Sequence, residues 1–258
     1  MLQELSIAGN TISLYNVFNT LSGLILLAFI LFQTTKYREF IYTKTTNQKK
    51  RTAFAFFQLL IISILLYVLL TVLNRAFANW FTNGNANYYG NLTSWLIIMS
   101  LLPSIFRVSP LKTMDLLSPG LPLSLFVAKL ACFFHGCCHG FEMTNSFYYN
   151  QYTNQHEVPV QLIEAFVAAL LFLFLLWYKN KNTIPGSVFP IFLILYSITR
   201  FFTEFLRADL PNVLGFLDAY QCMSIIYLFV GGFLLYLVWV IKIEKGKYSK
   251  STSKHHNQ

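Results

Sequence analysis

The chain has 258 residues, 55% of them hydrophobic, 17% aromatic and only 11% charged, with a mean hydropathy of +0.52 and a net charge of +9. A soluble globular domain carries about 25% charged residues, so the composition excludes that class and points to an integral membrane protein. The positive charge does not indicate nucleic acid, because all but four of the 19 Lys and Arg fall in short clusters between or after apolar runs, as bilayer topology dictates.

Taken from the N-terminus, MLQELSIAGN lacks the basic region that precedes a cleavable signal segment. Runs near the roughly 20 residues that cross a bilayer occur at 13–34, 53–73, 91–107, 116–138, 161–178, 187–206 and 220–241. The expected fold is therefore all-α and integral to the membrane, with about seven transmembrane helices within residues 1–243. Basic clusters follow spans one (Lys36 to Arg51), three (Arg107, Lys112), five (Lys179, Lys181) and seven (Lys242 to Lys254), whereas the other loops hold only Arg75 and Arg207. Positive charge gathers on the cytoplasmic side, which sets the N-terminus outside and the C-terminus in the cytoplasm. The lysine-rich stretch 244–258 reads as a basic cytoplasmic tail too polar to fold alone.

Within span four, Lys129 to Gly140 reads K-L-A-C-F-F-H-G-C-C-H-G and holds three of the four cysteines and two of the five histidines. Ionisable groups inside a bilayer are costly, so such a cluster marks a candidate site. Cys132, His135, Cys137, Cys138 and His139 are soft and borderline metal donors. Their spacing fits no zinc knuckle or ribbon, and adjacent cysteines seldom share one ion. No metal ligand is therefore assigned, and no cofactor is expected. Cys132 reads equally well as a small buried hydrophobe. Gly136 and Gly140 favour a polar loop at the membrane surface over a helix through both histidines.

Further on, His156 to Ala165 (H-E-V-P-V-Q-L-I-E-A) leads from an outer loop into span five, with Pro159 placed to start the helix. Gln161 and Glu164 then share one face. A lone Glu164 would ordinarily pair helices; its interest lies in a matching cation at similar depth. That cation is in Y-S-I-T-R-F-F-T-E-F-L-R-A-D, residues 196–209. Arg200, Glu204 and Arg207 recur at spacings of four and three and so project to one side of a helix. They read either as a structural Arg–Glu lock or as a phosphate site, since guanidinium forks bind phosphate oxygens bidentately.

With these segments in hand, the chain resembles the bacterial prolipoprotein diacylglyceryl transferases, in order over about residues 84–225. Tyr88-Tyr89-Gly90 resembles the family's aromatic-Gly element and Asp115 to Pro119 its D-x-x-x-P. Lys129 to Gly140 resembles the signature G-R-x-G-N-F-x-N-G-E-x-x-G, with Lys129, Cys132 and Cys137 in place of its arginine, asparagine and glutamate. Pro159 to Glu164 resembles H-P-x-Q-L-Y-E, and Arg200 to Arg207 the family's closing charged motif. The cysteines mark a cysteine-containing branch, and no His-Gly-Gly follows Gly90.

The resemblance implies seven spans in the bacterial cytoplasmic membrane and an enzyme that moves a diacylglyceryl group from phosphatidylglycerol to a cysteine thiol. The implied partners are phosphatidylglycerol or another anionic phospholipid and a lipobox-containing prolipoprotein or other thiol acceptor. Under that reading Arg200, Arg207 and Lys129 hold the headgroup with Gln161 and Glu164, and Glu204 orients Arg200. His135, His139 or Tyr89 supplies the base. Two other classes stay open: a non-catalytic lipid-binding paralogue, and a thiol- or metal-dependent membrane protein using Cys132 to Cys138.

Overall fold

A computed structural model describes residues 4–7, 10–36, 72, 110–181, 184–208, 212–214 and 216–255. Apart from residue 72, the expected spans 53–73 and 91–107 lie outside these residues, as does Tyr89. The chain divides into two compact units, Met1–Ile25 with Ser118–Gln258, and Leu26–Leu117.

The first unit opens with a hairpin of β1 (Glu4–Ile7) and β2 (Asn10–Ser13), which leads into α1 (Leu14–Lys36). Helix α1 runs on into the second unit, whose other described helix is α2 (Pro110–Leu117). The first unit resumes after the Ser118–Pro119 turn with α3 (Gly120–His135), α4 (Val160–Lys181), α5 (Val188–Glu204) and α6 (Ala219–His255). Short hairpins sit in two of the connections: β3 (Tyr149–Asn150) with β4 (Gln155–His156), and β5 (Asn212–Leu214) with β6 (Leu217–Asp218). Helix α3 packs on α4, α4 on α5, and α5 on α6.

Four stretches among the described residues are long and apolar enough to cross a membrane: Leu14–Gln33, Met114–His135, Val160–Lys181 and Ala219–Ile243. These match expected spans one, four, five and seven. The fold is an all-helical integral membrane protein. Helix α5, at 17 residues, is shorter, and it ends in charge. Span four departs from the continuous 116–138 run expected from hydropathy. Pro119 has no N–H and disfavours helical geometry at Ser118, so the helix breaks there and restarts at Gly120. It stops at His135 because Gly136 takes the left-handed conformation (φ +81°) and donates its N–H to the Cys132 carbonyl at 2.9 Å, a glycine C-cap.

The helices divide their apolar residues between two faces. On α4, Gln161, Glu164, Ala165, Ala168, Leu171 and Leu175 are buried, whereas Phe166, Leu170, Leu173 and Trp177 are exposed. An apolar outer face suits lipid, and the inner face carries the polar groups that must meet protein. Helices α5 and α6 come close at Gly231, where an added Cβ would lie 2.9 Å from Ile194 and 3.1 Å from the Pro190 carbonyl. Small residues permit such approach between membrane helices. Helix α6 begins in a capping box: the Gln221 N–H donates to Asp218 Oδ1 at 2.8 Å, and the Asp218 N–H donates to Gln221 Oε1 at 3.1 Å. It continues to His255, so the tail expected to be unfolded is helical through most of its length. No proline interrupts it.

Candidate functional site

Three helices each bring charge to one buried point. Glu164, one turn into α4, forms an ion pair through Oε2 with Lys129 Nζ of α3 at 2.5 Å and through its other oxygen with Arg200 Nη1 of α5. Arg200 Nη2 reaches Glu204 Oε2 at 2.8 Å, and Glu204 Oε1 reaches Arg207 Nη1 at 3.3 Å. The result is an alternating row: Lys129, Glu164, Arg200, Glu204, Arg207. All five side chains are at most 11% exposed. Buried carboxylates and guanidinium groups persist only when paired, and each member here has an opposite charge beside it, although Glu164 Oε2, Arg200 Nη1 and both Glu204 oxygens make no hydrogen bond among the described residues.

The phenol ring of Tyr220 closes the row. Arg200 Cζ lies 5.5 Å and Arg207 Cζ 5.7 Å from its centroid, within range for cation–π attraction. The capping box at Asp218 and Gln221 fixes the first turn of α6 and so positions this ring. Between α3, α4 and α5 the row borders a small groove, lined by Lys129, Glu164, Arg200 and Thr203 on its polar side and by Leu125 and Leu171 on the other. Gln161 is fully buried and donates from Nε2 to the Cys137 carbonyl at 2.8 Å, tying α4 to the loop after α3. Its Oε1 has no hydrogen-bond partner among the described residues.

That loop wraps over the row's outer end. Gly140 bridges Arg207 in antiparallel fashion, the Phe141 N–H donates to the Leu206 carbonyl at 3.1 Å, and the Ala208 N–H to the His139 carbonyl at 3.3 Å. Gly140 permits this crossing: a Cβ there would fall 2.4 Å from the Val158 carbonyl oxygen. The three thiols of Cys132, Cys137 and Cys138 gather in the loop with their sulfurs within 4.8 Å of one another. Cys138 adopts φ +57°, a left-handed conformation uncommon for a non-glycine residue.

Glu157 anchors the loop from the other side. It is 1% exposed and accepts from Asn150 Nδ2 at 2.9 Å and from the Thr153 hydroxyl, and His139 Nδ1 lies 3.5 Å from its Oε1. Asn150 also donates to the Gly136 carbonyl at 2.9 Å, linking the β3–β4 hairpin to the end of α3. Nearby, burial pushes the Tyr148 phenol up to about 12, with the Glu157 charge adding to the effect; Tyr148 is thus a neutral donor, aimed at the Phe133 carbonyl.

Of the residues singled out from the sequence, the structure brings Lys129, Glu164, Arg200, Glu204 and Arg207 into one ionic row, with Gln161 beside it. Of the candidate bases, His139 sits in the loop against Glu157, whereas His135 is exposed at the end of α3, ring to ring with Tyr15 and Tyr152. Glu157 and Tyr220 were not anticipated. Glu157 stands two residues before Pro159, where a loop carboxylate looks solvated, and Tyr220 is one of 15 tyrosines. The D-A-Y-Q capping signal at 218–221 was the available clue to the second.

Fold and site together define an integral membrane protein whose helices bury a net-positive ionic site. The chain belongs to the prolipoprotein diacylglyceryl transferase family, which it matches over residues 5–238. It is 33% identical over 177 residues to phosphatidylglycerol--prolipoprotein diacylglyceryl transferase 2 of Clostridium perfringens, covering 66% of this chain and 67% of that protein. To the phosphatidylglycerol--prolipoprotein diacylglyceryl transferase of Tropheryma whipplei (strain TW08/27) it is 30% identical over 225 residues, 78% of this chain and 79% of the relative. The protein of the same name from Clostridium tetani is 33% identical over 132 residues, 48% of this chain and 52% of that protein.

Proposed function

We infer that the protein is a phospholipid-dependent transferase that moves the diacylglyceryl group of phosphatidylglycerol to the cysteine thiol of a lipoprotein precursor. The buried ionic row on the groove between α3, α4 and α5 carries this reading, and the names of the relatives supply the substrates. Three cations against two carboxylates leave the row one positive charge in surplus, and a phosphodiester carries one negative charge.

In the reaction the acceptor sulfur, as thiolate, attacks the terminal glyceryl carbon. A C–S bond forms, the C–O bond to phosphorus breaks, and its electron pair leaves on the phosphate ester oxygen as glycerol phosphate. Charge thus builds on that oxygen in the transition state, and fixed cations placed there lower the barrier. Arg200 and Arg207 are held by Glu204 and backed by Tyr220, so their forks are oriented before the lipid arrives. Lys129 adds a point charge, and Glu164 keeps it beside Arg200. The lipid tails would follow the apolar wall of the groove. His139, oriented by Glu157, is the better placed of the histidines to take the thiol proton.

The site then faces the outer leaflet of a bacterial cytoplasmic membrane, with the N-terminus outside, the 1–243 region multi-pass and the 244–258 tail in the cytoplasm. Labelled phosphatidylglycerol with a lipobox peptide in detergent tests the reading. Label appearing in a thioether on the peptide cysteine is the expected result. Its absence, while a relative works in parallel, removes the lipoprotein substrate.

A further inference from the structure

Among the described residues, the cysteine cluster is a group of chemically active side chains that neither the ionic row nor the His139–Glu157 contact uses. We propose that Cys132, Cys137 and Cys138 form a three-thiolate site for a divalent thiophilic metal ion, zinc, whose fourth position takes the acceptor thiol. The inference rests on the transferase reading for the identity of that thiol, but the metal site stands on its own geometry.

The sulfurs lie within 4.8 Å of one another, two on a loop and one a turn back on α3. Two sulfurs bound tetrahedrally to one zinc at about 2.3 Å lie about 3.8 Å apart, so side-chain rotations that draw the sulfurs together by up to about 1 Å close the site. Consecutive residues in an extended chain point to opposite sides. The left-handed backbone of Cys138 (φ +57°) and the left-handed cap at Gly136 (φ +81°) reverse that, and they bring Cys137, Cys138 and Cys132 together. Both glycine and turn are held from outside: Asn150 Nδ2 binds the Gly136 carbonyl at 2.9 Å, and Gln161 Nε2 the Cys137 carbonyl at 2.8 Å. The backbone carbonyls are thereby occupied, leaving the sulfurs as donors. All three are free thiols and half-buried, and an odd cluster of three does not resolve into disulfides.

A site with three protein ligands keeps a fourth position open, and a thiol that coordinates zinc there loses its proton. The step is redox-neutral. On binding, the acceptor S–H gives its proton to His139, which passes it to solvent; the metal-held thiolate forms the C–S bond, and the phosphate ester oxygen leaves with the C–O electron pair and is protonated from water. The loop that carries Cys137 and Cys138 also bridges Arg207 through Gly140, and Glu204 ties Arg207 to Arg200, which places nucleophile activation beside leaving-group stabilisation.

The test uses the full chain in detergent, stripped with chelator, kept reduced with a phosphine and titrated with Zn2+ or Co2+. The expected result is one equivalent bound, with a thiolate-to-cobalt charge-transfer band that changes when a lipobox peptide is added and does not change with the same peptide carrying Ser for Cys. Bound zinc should slow alkylation of Cys132, Cys137 and Cys138, mapped by mass spectrometry, and leave Cys222 unaffected. Cys137→Ser and Cys138→Ser should weaken zinc by at least the roughly 10–100-fold that loss of an outer-shell partner costs, whereas Cys222→Ser retains it. Absence of stoichiometric binding, a band unmoved by the peptide thiol, or equal protection of Cys222 would each overturn the proposal. Alkylation of wild-type protein decides the ligand set even where a serine variant does not fold. Transfer activity in fully stripped protein overturns the metal's role and leaves the transferase reading intact. A thiol-responsive metal centre in a protein that transfers nothing sustains the site and removes that reading.

Discussion

The protein buries carboxylates in two neighbouring places and treats them in opposite ways. Glu164 and Glu204, between the helices, are surrounded by cations and form a continuous row with Lys129, Arg200 and Arg207. Glu157, under the 137–158 loop, is equally buried yet is held chiefly by neutral donors, the Asn150 amide and the Thr153 hydroxyl. A carboxylate held by neutral donors fixes a local backbone shape, and the hairpin that caps α3 is that shape. One embedded in alternating charge holds guanidinium groups in a chosen orientation and leaves net positive charge for a ligand. Breaking a buried pair by removing one partner costs several kcal/mol, so a row of four contacts among helices is stable only while complete.

The largest effect should come from the centre of the row. Arg200→Ala cuts the row in two, leaving Glu164 with Lys129 alone and Glu204 with Arg207 alone, and we expect transfer to fall by more than about a thousandfold, in line with removal of a charge clamp in phosphate chemistry. Membrane fractionation should still recover the protein, and full activity in this variant would dismiss the clamp. Next is Glu157→Ala, which leaves the donors of Asn150 and Thr153 unpaired at a cost of about 1–3 kcal/mol. Thermal unfolding in detergent should register the loss, with Glu157→Gln partly restoring it. If Glu157→Ala melted like wild type but lost transfer, the neutral-donor clamp would itself be part of the chemistry.

Lys129→Met should be milder than Arg200→Ala, because Glu164 retains Arg200 as a partner. The coupling between Lys129 and Glu164 should fall at about 0.5–3 kcal/mol in a double-mutant cycle, and zero coupling would mean that the pair is not formed. Gly140→Ala probes the junction of the two regions: its Cβ would meet the Val158 carbonyl and Val160, and overpacking of this kind costs about 1–3 kcal/mol. Its lost stability should be accompanied by weakened transfer, as the loop lifts from Arg207. The smallest effect belongs to Gln155→Ala, which removes only an exposed contact at 3.4 Å to Glu142. A surface change of this kind stays within about 0.5 kcal/mol.

Much of this was legible along the chain, because a bilayer forces sequence into a narrow grammar. Apolar length marked Leu14–Gln33, Val160–Lys181 and Ala219–Ile243 to within a few residues. A spacing of four put Arg200 and Glu204 on one face, and the structure pairs them at 2.8 Å. The same rules misread the chain where a local backbone choice outranks hydropathy. Pro119 splits span four, Gly136 ends it early, and the tail continues as helix where composition argued for none.

What the sequence by itself determined was the class, the family and the identity of the charged residues, since the cost of placing Lys129, Glu164 or Arg200 in lipid is a property of the side chain alone. Only the tertiary structure decided their partners. Lys129 and Glu164 are 35 positions apart and belong to different helices, so no periodicity could join them. The cysteines changed most. Read linearly, adjacent Cys137 and Cys138 argued against a shared ion. In three dimensions a left-handed residue turns their side chains together with Cys132, because backbone dihedral, not sequence spacing, sets where neighbouring side chains point.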